Sequence, residues 1–181
     1  MNLKKLAVAV VAVGLWTGGA WAATTSQDAT VTVTPVATLN LAIAPTTYAF
    51  GNLNVGAPAQ IAASSLTLRN SGSVNLAMTK KIATESTPPG WTSAGTAGPN
   101  VYVLEVTTAA AQAVTADFTG GTLLTTTDTE LEPASGAHIT LLPQSGGGFY
   151  STDMWFRLTM PTAVANQTAR EIKVTFTGTS N

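Results

Sequence analysis

What most limits the folds open to this chain is a two-residue rhythm of apolar and short polar side chains, interrupted by turn formers and clearest between Tyr48 and Thr79. There Phe50-Gly51-Asn52 makes a turn, Leu53 and Val55 a short hydrophobic segment, and Gly56-Ala57-Pro58 a bend. Two alternating runs follow, Gln60–Arg69 and Val74–Ile82, joined at Asn70-Ser71-Gly72-Ser73. Successive side chains of a strand point to opposite faces, so Leu66 and Leu68 in the first run and Val74, Leu76 and Met78 in the second give each strand one apolar face. Asn, Ser and Gly suit the connection, because their side chains either bond the local backbone or leave it free. An antiparallel pair with one apolar face must lay it on a second layer, which predicts an all-β, antiparallel β-sandwich.

The same rhythm recurs along the chain. Val36–Ile43 alternates with Leu39, Leu41 and Ile43 on one side, and Val101–Thr107 with Tyr102, Leu104 and Val106 inward. Asp153–Met160 places Met154, Phe156, Leu158 and Met160 on one face and Trp155, Arg157 and Thr159 on the other. Arg170–Gly178 turns Ile172, Val174 and Phe176 inward, and Ala137–Leu142 adds a short strand. Ala109–Phe118 is read as a strand, because Val114, Thr115 and Phe118 suit one. Thr84–Asn100, with three prolines and three glycines, is read as a long irregular loop anchored by Trp91.

The N-terminus carries its own signals. Lys4 and Lys5 precede an apolar run from Leu6 to Trp16, and Ala20-Trp21-Ala22 offers small residues for cleavage, so residues 1–22 are expected to be a signal peptide and 23–181 one secreted domain. Losing Lys4 and Lys5 leaves six basic residues against nine acidic ones, a net charge of about −3. That balance argues against nucleic acid, which needs clustered Lys and Arg to neutralise phosphates. No later run is apolar enough to span a bilayer, so no membrane is expected in the mature form. The chain has no cysteine, so an exported domain of this kind relies on its core or on neighbours instead of disulfides, and has no thiolate for metal or catalysis.

Catalytic sets are correspondingly thin. His138 is the only histidine, no G-x-S-x-G elbow surrounds a serine, and a multi-histidine zinc site is impossible within one chain. Glu105 and Glu171 are a nominal glycosidase pair of unknown separation, with Glu105 and His138 the first residues to test in any enzyme reading. Asp128, Glu130 and Glu132 alternate in a way that suits oxygen ligation of calcium but lacks the glycine and closing acid of an EF-hand loop, so a solvated acidic loop is the plainer reading. No enzyme activity and no cofactor is expected. Asn166-Gln167-Thr168 matches the N-glycosylation acceptor pattern, a three-residue motif common by chance. Trp91, Tyr150 and Trp155 are candidate surface-binding aromatics for a glycan or protein, with Trp155 opposite the apolar face of its strand.

Phe50-Gly51-x-Leu53-x-Val55-Gly56 followed by Leu66-x-Leu68-x-Asn70-x-Gly72 resembles the immunoglobulin-like modules of the ASPM-SPD-2-Hydin and choice-of-anchor type. A wider resemblance runs through the signal peptide, a strand holding Ala29-Thr30, then Leu39-x-Leu41, Leu53-x-Val55-Gly56, Leu68-x-Asn70-x-Gly72-Ser73, Phe156-x-Leu158 and Ile172-x-Val174-x-Phe176. This order is similar to that of camelysin/TasA-type secreted matrix proteins. The first resemblance implies an immunoglobulin-like sandwich. The second implies a jelly-roll-like one whose subunits polymerise into extracellular fibres, an N-terminal strand of one completing the sheet of the next. On it, Ala29, Thr30, Val31, Thr32, Val33 and Thr34 form the subunit-contact strand, and the main partner is a second copy of the chain. Low charge, Pro35 and the Pro/Gly-rich loop depart from that family. The expected function is a non-enzymatic structural subunit at the cell surface or beyond it; the alternative is a secreted module that binds glycan or protein.

Overall fold

The computed structural model describes residues 32–132, 139–143 and 150–180. The expected signal peptide, Ala29, Thr30, Val31 and His138 lie outside the described residues. The chain divides between Pro35 and Val36 into two units, and the fold below is that of the second.

Ten strands succeed one another: β1 (Leu41–Ala44), β2 (Gln60–Ile61), β3 (Leu66–Asn70), β4 (Leu76–Thr87), β5 (Thr92–Ser93), β6 (Val101–Thr108), β7 (Thr129–Glu130), β8 (Thr140–Leu141), β9 (Ser151–Thr159) and β10 (Glu171–Ser180). The one helical element among the described residues is a 3-10 turn at Thr115–Asp117. One sheet has the order β1-β3-β9-β6-β5, with β2 on the same edge of β9 as β3. The other has β10 on one edge of β4 and the two-residue strands β7 and β8 on the opposite edge. All pairs are antiparallel except β5 with β6. The chain is therefore all-β and sandwich-like, as its alternation predicts.

Between the sheets lies one core. Leu66, Leu68, Tyr102, Leu104, Val106, Met154, Phe156 and Leu158 come from the first sheet, and Leu76, Met78, Ile82 and Phe176 from the second, all buried. Phe156 and Phe176 meet across the sheets with ring centroids 6.4 Å apart in an edge-to-face arrangement that aromatic quadrupoles favour. The inward rows are those marked out by the alternation, which is why the sequence exposes them.

The turn joining β3 and β4 is fixed by side chains. Asn70, fully buried, donates from Nδ2 to the carbonyls of Val74 and Leu141 and accepts the Gly72 N–H on Oδ1, so it is satisfied on both sides. A Cβ at Gly72 would overlap the Thr38 carbonyl oxygen, so glycine is required for the incoming chain to lie this close. Thr38 donates its N–H to Ser73 Oγ, and the Ser73 and Ser71 N–H groups donate to the carbonyls of Thr38 and Asn40. Residues 38–44 thus line the outer edge of β3 and its turn, although only Leu41–Ala44 form a regular strand.

Three expectations need correction. Ala109–Phe118 is not a strand: Asp117 accepts the Val114 N–H at 2.7 Å, which closes a 3-10 turn, and the segment folds over the outer face of the first sheet. Because of that cover, Trp155 is not exposed. Its ring packs on Ala113 and Phe118 at 8% exposure, and its Nε1 donates to the Ala109 carbonyl. Finally, β4 runs on to Thr87, so the irregular stretch is shorter than Thr84–Asn100 and carries β5 within it.

Candidate functional site

The two long edges of the sandwich are finished differently. On one side, Leu124 N–H donates to the Leu104 carbonyl at 2.9 Å, and Ile82 N–H donates to the carbonyl of the adjacent Thr125 at 2.7 Å. Two consecutive residues thereby join the outer edge of β6 to the β7 edge of β4, closing the gap between the sheets. Lys80 reinforces this closure. It lies on the inward row of β4 with Leu76, Met78 and Ile82, is fully buried, and donates from Nζ to the carbonyls of Gly121 and Glu130. Burial pushes its pKa below the ordinary lysine value, against an opposing pull from the Glu132 carboxylate.

Since β6 and the β7 edge of β4 share that side, β1 and β10 must share the other. There the sheets are not joined by any backbone hydrogen bond among the described residues. The first sheet is at least four strands wide, whereas the second has two long strands, β4 and β10, plus the short β7 and β8. The shortfall shows in burial: Leu41 and Ile43 on β1, and Ile172 and Val174 on β10, face the core yet remain half-buried. Tyr48, Phe50 and Leu53 supply partial cover, anchored where Tyr48 Oη accepts the Ala63 N–H at 2.7 Å and Gly56 N–H donates to Pro161 at 2.8 Å.

The rim of this open side is a ten-residue strand. β10 pairs with β4 from Glu171 opposite Thr87 to Ser180 opposite Leu76, and its other edge has no strand partner among the described residues. Such an edge presents a row of backbone donors and acceptors to any added strand. Its outward row, Glu171, Lys173, Thr175, Thr177 and Thr179, is charged only at its first two positions, where the pairing with β4 is also irregular, and has no proline, so from Val174 to Ser180 the edge lacks the devices that discourage pairing.

Exposed apolar side chains gather just before β1. Val33 is 77% exposed, Val36 84% and Leu39 58%, whereas elsewhere among the described residues only Val55 and Val114 are large, apolar and exposed. Of the expected contact strand, Thr32, Val33 and Thr34 are described, and they are exposed and in no strand of this chain. Val and Thr alternate through Ala29–Thr34 in the sequence, which marks a strand with one apolar face; the open side of the sandwich is not readable from such a pattern, because strand order is absent from it.

The other sequence-predicted positions do not converge. Trp91 is half-buried over Tyr102, with its N–H and carbonyl bonded to Ser86 and the Arg170 guanidinium 5.9 Å from its ring, so it closes the end of the core near Thr87. Tyr150 lies at the opposite end, where Asn70 N–H donates to its carbonyl and Arg69 sits over its ring. With Trp155 under the 109–118 segment, no single surface presents all three. Glu105 is held by both Nε and Nη2 of Arg157, at 2.6 and 2.7 Å, while Glu171 begins β10 in the other sheet. Asp128 pairs with Lys81 at 2.7 Å, and Asp128, Glu130 and Glu132 line an open groove of about 520 Å³. No three metal-ligating side chains gather among the described residues. Asn166 lies in an exposed connection, its Oδ1 accepting from Thr168 N–H and Arg170 Nη2.

No family model, curated protein or solved structure matches the chain.

Proposed function

We propose that this protein is a non-enzymatic structural subunit of an extracellular fibre, matrix or surface layer, assembled when Ala29–Thr34 of one copy fills the open side of another. The observation that carries the reading is the ten-residue outer edge of β10, unpaired among the described residues beside half-buried Ile172 and Val174. An added strand would satisfy the edge groups of β10 and bury apolar surface at ~25 cal/mol per Å². Val33, 77% exposed in this chain, is a side chain with something to gain from it. Within this reading the sandwich is of the immunoglobulin-like or jelly-roll-like kind, secretion follows from the expected signal peptide, and the resemblance to camelysin/TasA-type matrix proteins agrees. A head-to-tail contact of this sort produces open filaments when the rotation between neighbours does not close a ring.

Negative-stain electron microscopy of residues 23–181 tests the proposal. Filaments are expected, and removing Ala23–Thr34 should leave a monomer. Unchanged filaments from the shortened chain would rule out strand donation. A full-length protein that stays monomeric at high concentration, with a glycan-array signal lost in Trp91→Ala, would favour the binding-module reading instead.

A further inference from the structure

We infer that residues 109–118 form a strap that lifts from the outer face of the first sheet as a unit while the sandwich stays folded, so that the indole of Trp155 is concealed or uncovered by a movement of its own. The inference does not depend on strand donation. What makes the strap separable is how little of it is buried and where its contacts lie. Within it only Ala113 and Phe118 are buried, while residues 110–112 and 114–116 are exposed. These two side chains join Trp155, Ile61 and Ala109 in an apolar cluster distinct from the core between the sheets. Opening that cluster removes nothing from the main core.

The polar tethers of the strap are few and lead to β9. Ala109 N–H donates to the Asp153 carbonyl at 3.1 Å, Trp155 Nε1 donates to the Ala109 carbonyl at 3.1 Å, and Arg157 reaches the Thr115 and Phe118 carbonyls at 3.3 and 3.4 Å. Arg157 keeps its stronger partner when the strap leaves, because Glu105 holds it at 2.6 and 2.7 Å. Segments with few buried apolar contacts open at free energies well below that of the whole domain. Just beyond Phe118, Gly120 at φ +61° supplies backbone able to absorb the movement.

A buried hydroxyl opposes closure. Thr107 lies directly opposite Trp155 in the β6–β9 pairing, and Glu105 directly opposite Arg157, so the four share the outward row. The strap leaves β6 at Ala109, packs on β9 and returns to the far edge of β6, where Thr122 accepts the Val106 N–H at 2.9 Å, so its path crosses the row that holds Thr107. Thr107 is fully buried, and its Oγ1 has no hydrogen-bond partner among the described residues. Lifting the strap hydrates this hydroxyl, which biases the equilibrium towards opening by about tenfold.

Hydrogen-exchange mass spectrometry of residues 23–181, with and without dilute urea, tests the inference whether or not the chain assembles. The bonded amides of Ala109, Val114, Asp117 and Phe118 should exchange roughly tenfold or more ahead of those of β6 and β9, at a rate that dilute urea barely changes, because the opening exposes little surface. Thr107→Val, which keeps the shape and deletes the hydroxyl, should slow strap exchange about tenfold, whereas Thr107→Ser, which keeps the hydroxyl, should not slow it. Phe118→Ala should strip the strap of protection while β6 and β9 stay protected. Strap amides that exchange only together with β6 and β9, with the same urea dependence, overturn the inference, as does loss of protection in all three from Phe118→Ala. A Thr107→Val strap that exchanges as fast as before, or faster, overturns the part given to the hydroxyl.

Discussion

Lys80 occupies a position that the rhythm of β4 assigns to an apolar side chain, and its two carbonyl partners explain why it is tolerated. Replacing it by alanine strands the Gly121 and Glu130 carbonyls and should lower stability by about 1–3 kcal/mol, read from urea midpoints. Lys80→Met, which keeps the volume and removes the buried charge, is expected to cost less or to stabilise. The pH dependence has two opposed parts. Burial lowers the folded-state pKa of Lys80, so the unfolded chain holds its proton more tightly, and stability should rise with pH from that lowered value up to the ordinary lysine value. Burial, together with Glu85, raises the pKa of Tyr102 well above the usual tyrosine range, against a smaller opposing effect of Ser93. The Tyr102 contribution is thus intact below about pH 10 and lost as pH climbs beyond it. Denaturation across pH 7–11 should show a gain and then a fall; Lys80→Met should erase the gain and Tyr102→Phe the fall.

Elements were readable where one face met the core and the other met solvent. β10 shows this well: Phe176 is buried while Lys173 and Thr177 are exposed, as their alternation predicts. Reading failed where both faces are covered. β6 buries Val103 and Thr107 as well as Tyr102, Leu104 and Val106, so both its faces are covered, and nothing in Ala109–Phe118 signals that this segment folds over the same sheet at Trp155. The clamp that holds this segment is Arg157, which pairs with Glu105, donates to the Thr115 and Phe118 carbonyls, and lies 4.6 Å from the Phe118 ring centroid. Arg157→Ala should therefore cost about 3 kcal/mol and expose Trp155, seen as a red shift of its fluorescence. The candidate site was legible only in its donor half, through the Val/Thr alternation up to Thr34. On that half, Val33→Asp should leave subunit stability within about 0.5 kcal/mol, since the side chain is 77% exposed, while abolishing filaments.

At the scale of the whole molecule, a sandwich closed on one side and, among the described residues, open on the other would tie stability to association in the proposed fibre. Anything that binds only the folded subunit raises its apparent stability by mass action, and in the proposed fibre the binder would be a second copy. The thermal midpoint of residues 23–181 should increase with protein concentration, whereas the chain lacking Ala23–Thr34 should melt lower and at a temperature independent of concentration. Calorimetry over a hundredfold dilution series would separate the two. The hydrogen bonds joining residues 38–40 to the β3–β4 turn acquire a mechanical meaning in such a filament. Tension on the donated strand passes through Pro35 into a run that lies alongside β3, so its ladder is loaded in shear, many bonds at once, instead of being peeled open one at a time. In the proposed fibre, a strand seated along β10 of the next subunit would be loaded in the same way, making each joint resist pulling along the fibre far better than pulling across it.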